Sequence, residues 1–192
     1  MKKTIKFLFH VLATIIVAPF ILISNIEGVL FPSEQVFVLF GSFLSLIPGR
    51  FGSYMRVAYY RYTTSIETWE FFVGFGSILT HRNIEIGQYS SIGMYCILGS
   101  VKIGDNVLLA NRVSIPSGRH QHFDDIKKNI SQKTSYNMIK VGNNCWIGES
   151  SVIMNNIGTS CIIGAGSVVV KPVESNTVAA GNPAKKLKTL EK

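Results

Sequence analysis

One aliphatic residue in every six constrains this chain more than any other feature. Ile86, Ile92 and Leu98 are followed by Ile103, Leu109 and Ile115, then by Val141, Ile147 and Ile153, then by Ile157, Ile163 and Val169. Steps within each triplet are 6, and steps between triplets are 5, 26 and 4. Eight of the twelve are followed by glycine: Gly87, Gly93, Gly99, Gly104, Gly142, Gly148, Gly158 and Gly164. A period of six fits neither an α-helix nor an alternating strand. It fits a parallel β-helix, in which three short flat strands make a coil of about eighteen residues. The aliphatic side chain points into the prism and glycine serves the corner.

A second register lies two residues before nine of the twelve marked aliphatics. Ser90, Cys96, Val101, Val107, Val113, Cys145, Ser151, Cys161 and Ser167 occupy it. The slot takes small residues, so the three cysteines read as wall fillers rather than catalytic thiols. Cys145 and Cys161 are sixteen residues apart and are expected to stack one coil apart on the same wall. Three cysteines make no complete disulfide framework, and no CxxC spacing exists.

The first seventy residues follow a different rule. Residues 7–26 contain no Asp, Glu, Lys or Arg, and as a helix they would reach about 30 Å, the thickness of a hydrocarbon core. A second uncharged run covers residues 35–49 and would reach only about 22 Å. Both flanks are basic, with Lys2, Lys3 and Lys6 before and Arg50, Arg56 and Arg61 after. The positive-inside rule then places both ends in the cytoplasm. The expectation is a hydrophobic helical hairpin, spanning or re-entrant, broken near Pro19 or across "SNIEG". A cleaved signal peptide is the weaker alternative, because "ILISNIEG" lacks a small-x-small cleavage site. A buried helix pair of a soluble protein is the other. "RFGSYMRVAYYRYT" reads as an interfacial helix, with tyrosines and snorkelling arginines. The expected division is a membrane-associated helical region over residues 1–70 and a β-helix domain over 71–192, with a loop at 116–140.

The net charge is +8, from 19 Lys and Arg against 11 Asp and Glu. No basic run interleaves with stacking aromatics, so no nucleic-acid partner is expected.

"IGQYSSIG", "IGDNVLLANRVSI", "NNCWIGESSVI", "IIGAGSVVVKPV" and "VAAGNPAKKL" resemble the motifs of the hexapeptide-repeat acyltransferases, the left-handed β-helix family. The resemblance covers roughly residues 75–190. The hydrophobic N-terminus, "SLIPGRFGSYMR" and "SGRHQH" look like the bacterial O-acetyltransferases of capsule, exopolysaccharide and lipopolysaccharide. The resemblance implies a mainly β, left-handed parallel β-helix with an extended loop. It also implies acetyl-CoA as co-substrate with no metal, a homotrimer with sites between neighbouring subunits, and a sugar or lipid-linked glycan acceptor. Because acetyl-CoA is cytoplasmic, the enzyme would sit on the cytoplasmic face of the bacterial inner membrane, anchored by its N-terminal segment.

The 26-residue step holds "PSGRHQHFDDIKKNISQKTSYNM", and loops this long in compact domains are usually functional. Acyl transfer to an alcohol needs a base, and histidine has the pKa for it. His120 is the first candidate. It lies sixteen residues after Gly104, and members of the family show a similar stretch ending in their catalytic histidine. His122 is the runner-up, and Asp124 or Asp125 would orient the imidazole. His81 is a further candidate at the acceptor side, and His10 reads as structural. By resemblance, Ala165, Gly166 and Ser167 contact the pantetheine arm, Lys171 and Lys185 face the phosphates, and Trp146 covers the thioester or the pantetheine. An amide at Gly148 or Glu149 would stabilise the oxyanion. The segment "MNNIGT" is shorter than the family's usual step, so carry-over across it can slip.

Alternatives differ in their sequence demands. N-acetylation of a nucleotide amino-sugar usually comes with an N-terminal Gly-rich nucleotide unit, which is missing here. Zinc-dependent carbonate hydration needs three well-spaced histidines, and His120 and His122 are too close for two of them. A non-enzymatic trimeric membrane scaffold needs neither the histidine loop nor "AGNPAK".

Overall fold

The computed structural model describes residues 2–31, 33–116 and 138–191. Three helices come first: α1 (Lys2–Leu30), α2 (Gln35–Ser45) and α3 (Gly49–Thr63). A β-solenoid of parallel strands follows. Its first coil is β1 (Phe71–Val73), β2 (Ile78–Leu79) and β3 (Glu85–Ile86), and its second is β4 (Ser90–Ile92), β5 (Ile97–Leu98) and β6 (Val101–Ile103). The third is β7 (Leu108–Leu109), β8 (Ser114–Ile115) and β9 (Ile139–Val141). Then come β10 (Trp146–Ile147) and β11 (Val152–Ile153), β12 (Ile162–Ile163) and β13 (Val168–Val169), and finally β14 (Thr177–Gly181) and β15 (Ala184–Thr189).

The strands stack into three faces. Face 1 is β1-β4-β7-β10-β12-β14-β15, face 2 is β2-β5-β8-β11-β13, and face 3 is β3-β6-β9, extended by bridges at Ile157 and Val173. All twelve residues of the six-residue register are buried in the prism. All nine residues of the small slot are buried too. The prism begins one coil earlier than the register read from the sequence, because Val73 and Leu79 also point inward. The seven-residue step from Leu79 to Ile86 hides that coil from a strict period of six.

The corner glycines do a different job from the one expected. The positive-φ corner residues are Tyr89, Tyr95, Asn106, Arg112, Asn144, Ser150, Ser160 and Asn176, with Gly76 and Gly166 in equivalent places. Each lies three residues after an inward aliphatic. The glycine directly after the aliphatic is needed for clearance between coils. A Cβ on Gly93 would lie 2.6 Å from the Ala110 carbonyl carbon, and one on Gly148 2.5 Å from the Ala165 nitrogen. Backbone at that distance cannot yield, so the row stays small.

The helical region is broken later than expected. α1 runs unbroken through Pro19 and Gly28, and the break falls after Leu30. One stripe of α1, His10, Ala13, Val17, Ser24 and Glu27, is buried at helical spacing. The Glu27 carboxylate accepts the Val36 and Phe37 amides at 2.8 and 3.1 Å. It thereby satisfies the first turn of α2, whose own N-cap residue Glu34 makes no side-chain cap.

α3 packs most of its length against the protein. Arg56, Tyr59 and Tyr60 are fully buried. Arg56 donates to the carbonyls of Leu44, Ile47 and Val73 at 3.0, 2.8 and 3.1 Å. Burial draws its pKa down to about 10, so it remains a cation at neutral pH. The Tyr60 hydroxyl accepts the Leu79 amide at 3.2 Å. α3 therefore joins the helices to the first coil and covers the open end of the prism. At the other end β15 folds antiparallel onto β14, and its lysines face solvent, which guards the sheet edge.

Candidate functional site

His120 and His122, with Asp124 and Asp125, lie outside the described residues. The loop that carries them leaves the prism after Pro116 and returns at Met138, at the corner between faces 2 and 3. His81 lies at the same corner in the first coil. Its Nδ1 is 2.9 Å from Glu34 Oε2 and 2.6 Å from the Thr80 carbonyl oxygen, so it ties the helices to the solenoid. Lys171 is exposed at this corner, two coils beyond the loop.

The other candidates gather at the corner between faces 1 and 2. Trp146 stands outward on face 1, half exposed, opposite Leu108 on one side and Ile162 on the other. A groove of about 400 Å³ runs beside it, lined also by Asn106 and Leu190. Gly148 and Glu149 form the corner, with Ala165 and Gly166 stacked on them one coil along. Lys185 lies opposite Ala180 on β14, and Ala180 packs above Gly164. The structure thus brings together Trp146, Gly148, Glu149, Ala165, Gly166 and Lys185. The Ser167 side chain is turned inward: it is buried, and its hydroxyl donates to the Gly164 carbonyl at 2.6 Å and accepts the Gly181 amide at 3.2 Å.

The two amides proposed for an oxyanion have different fates. The Gly148 amide donates to the Ile163 carbonyl at 2.8 Å, as part of the coil-to-coil ladder. At some other corners the next amide is taken by a side chain one coil along. Met94 N–H donates to Asn111 Oδ1 at 2.9 Å, Gln88 to Asp105 Oδ1 at 2.7 Å, and Asp105 to Asn143 Oδ1 at 3.0 Å. Beside Glu149 that place is held by Ala165, which has no acceptor. The Glu149 amide therefore has no hydrogen-bond partner among the described residues. A free backbone donor at a small-residue corner is what an amide-bearing ligand or a developing oxyanion requires.

Glu149 Oε1 accepts from Arg112 Nη2 at 2.7 Å, a contact that sequence reasoning missed. Among the described residues no group of three His, Cys, Asp or Glu could hold a metal ion.

No protein-family model matches the chain, and no curated protein matches its sequence. Solved structures do match. A maltose O-acetyltransferase from Clostridium difficile 630 superposes with a TM-score of 0.65 at 27% identity, covering 83% of this chain and 87% of that one. A hexapeptide-repeat acetyltransferase from Vibrio cholerae gives 0.64 at 22% identity, covering 82% and 93%. A galactoside acetyltransferase in complex with coenzyme A gives 0.57 at 23% identity, covering 83% and 82%. At these lower identities the last two show a shared fold. The structural neighbours are thus hexapeptide-repeat acetyltransferases, the family that the sequence motifs resemble.

Proposed function

We propose that this chain is an acetyl-CoA-dependent O-acetyltransferase acting on a sugar hydroxyl of a cell-surface polysaccharide or its lipid-linked precursor. The likeness to a maltose O-acetyltransferase over 83% of the chain carries this reading. The free Glu149 amide beside Trp146 supports it with a place for a thioester. A loop histidine, His120 first and His122 next, takes the hydroxyl proton as the sugar oxygen attacks the thioester carbonyl carbon. The Glu149 amide faces the resulting oxyanion. The C–S bond then breaks, the carbonyl reforms on the sugar ester, and the sulfur leaves with the proton as CoA. Ala165 and Gly166 leave room for the pantetheine arm, and Lys185 supplies a cation for the phosphates, while Lys171 lies at the loop's corner.

A homotrimer accounts for the layout. The loop leaves one margin of face 2 and the Glu149 corner lies at the other, about six extended residues away, on the order of 20 Å. A neighbouring copy brings one copy's loop to another's corner. Two faces are apolar on the outside: Phe72, Leu108, Trp146 and Ile162 on face 1, and Ile78, Ile97, Val152 and Val168 on face 2. Face 3 is charged on the outside, with Glu85, Lys102 and Lys140 in register. Faces 1 and 2 fit an interface and face 3 fits solvent.

The same reading places the protein on the cytoplasmic side of the inner membrane. α1 is long and apolar enough to cross a membrane. Its buried stripe rests on protein, while Phe7, Leu8, Leu12, Ile15, Leu22 and Val29 remain exposed. Such a helix lies in the interface with its apolar side in lipid. The test is the surface glycan of a deletion strain, compared with wild type by NMR. An O-acetyl resonance lost on deletion and restored by the gene is the expected result. An unchanged acetyl pattern would overturn the reading.

A further inference from the structure

A cavity of about 920 Å³ lies between the first half of α1, the end of α3 and the stretch that leads into β1. Its two sides differ in chemistry. On one side Phe7, Val11 and Ile15 form a single row along α1, spaced i, i+4, i+8, and all three are also members of the helix's exposed apolar surface. The row is about 12 Å long. The cavity therefore opens onto the surface assigned above to lipid.

The other side is polar and incompletely satisfied. His10 is buried and held edge-on between Tyr54 and Trp69, with ring centroids 4.7 and 5.1 Å away. Neither of its ring nitrogens has a hydrogen-bond partner among the described residues. Buried polar groups in native folds are almost always satisfied, so these nitrogens call for polar atoms from outside the chain. Lys6, paired with Glu70, stands at the rim. A smaller cavity of about 220 Å³ shares Lys6 and His10 and adds Arg50 and Phe72. Lys6 and Arg50 against the one carboxylate of Glu70 leave the space positive.

The geometry points to a site for a single-chain lipid phosphate: the apolar chain along Phe7, Val11 and Ile15, and the phosphate at Lys6, His10 and Arg50. One row on one helix is wide enough for one chain rather than a pair. The cavity volume is at the upper end of small-ligand sites and too large for a lone sugar ring. Phe72 then leads along face 1 toward Trp146 three coils away, about 14 Å. A sugar linked to that phosphate would extend toward the Glu149 corner. The inference deepens the lipid-linked reading of the acceptor and rests on it.

Binding tests it without any turnover. Full-length protein in nonionic detergent is photolabelled with a diazirine-bearing farnesyl phosphate, and the labelled peptides are mapped. Labelling confined to residues 6–15 and 69–70, and competed by farnesyl phosphate, is expected. Val11→Trp fills the apolar row from an exposed helix position, so it should cut labelling at least tenfold while leaving CoA binding unchanged. Labelling spread over α1 and insensitive to Val11→Trp would overturn the site. So would equal competition by dioleoyl phosphatidic acid, which would mark a general lipid surface, or by inorganic phosphate, which would mark an anion site. Loss of CoA binding in wild-type protein would instead count against the acetyltransferase reading, whatever the labelling.

Discussion

The Cys161 backbone amide donates to the sulfur of Cys145, 3.4 Å away, across the gap between two coils of face 1. Both thiols also reach carbonyls, Cys145 that of Gly158 at 3.0 Å and Cys161 that of Glu174 at 3.0 Å. All three cysteines are buried and free. Burial pushes the Cys145 thiol up to about 11 and that of Cys96 upward.

Alkylation by iodoacetamide at pH 8 should therefore run roughly a hundredfold or more below that of the unfolded chain, since the thiolate reacts. Replacing any one cysteine by Ala should leave acetyl transfer within a few-fold and lower stability by about 1–3 kcal/mol. Stability should also depend on pH. The folded pKa values of Cys145, about 11, and Tyr59, about 12, are raised by burial. Their contribution is complete below the unfolded thiol value and declines as pH climbs through about 9 to 12, where only the unfolded chain ionises readily. Thermal midpoints measured from pH 7 to 11 should fall at the alkaline end, and less steeply in Cys145→Ala. A flat profile would contradict the burial.

Arg56 supplies a sharper test of the helical cap. Removing it strands the Leu44, Ile47 and Val73 carbonyls inside the structure. Arg56→Met should destabilise by about 3–5 kcal/mol, and Arg56→Lys should recover only part of that because one ammonium lacks the fork. Denaturant midpoints decide it. A surface arginine, as the sequence suggested, would change stability by under about 0.5 kcal/mol.

Ala165→Asn places an acceptor beside the Glu149 amide, as Asn111 does for Met94. It should leave the midpoint unchanged or slightly raised while lowering turnover more than Ala165→Leu, which matches its bulk without the acceptor. Equal losses in the two variants would assign the effect to crowding and remove the amide from the chemistry.

The outward apolar rows make assembly testable. Trp146→Asp with Ile97→Asp puts a charge on each face that the trimer would bury. Sedimentation in detergent should shift from three copies toward one, with little change in the circular dichroism of the isolated chain. An unshifted mass would place the interface elsewhere.

Sequence and structure agree most where spacing is rigid. A prism wall admits one aliphatic per strand, so Ile147 and Ile163 announce their own pairing. The cysteine slot is legible for the same reason. Glu27, Arg56 and His10 were not legible, because their roles depend on which helix packs on which. A glutamate in "SNIEG" looked like a break, and only the fold shows it capping α2. Arg56 sits among tyrosines that resemble a headgroup belt until its carbonyl partners are seen. The free Glu149 amide follows from Ala165 lying one coil along, a relation that a shortened step obscured.

The central claim is acyl transfer by a loop histidine, and one measurement tests it most directly. Purified full-length protein is supplied with acetyl-CoA and surface glycan from the deletion strain, and CoA release is followed in wild type, His120→Ala and His122→Ala. Wild type should turn over, and His120→Ala should fall by roughly 10²–10⁴ with acetyl-CoA affinity kept. A fall confined to His122→Ala would move the role by two residues. Wild-type rates in both single variants and in the double variant would contradict the account.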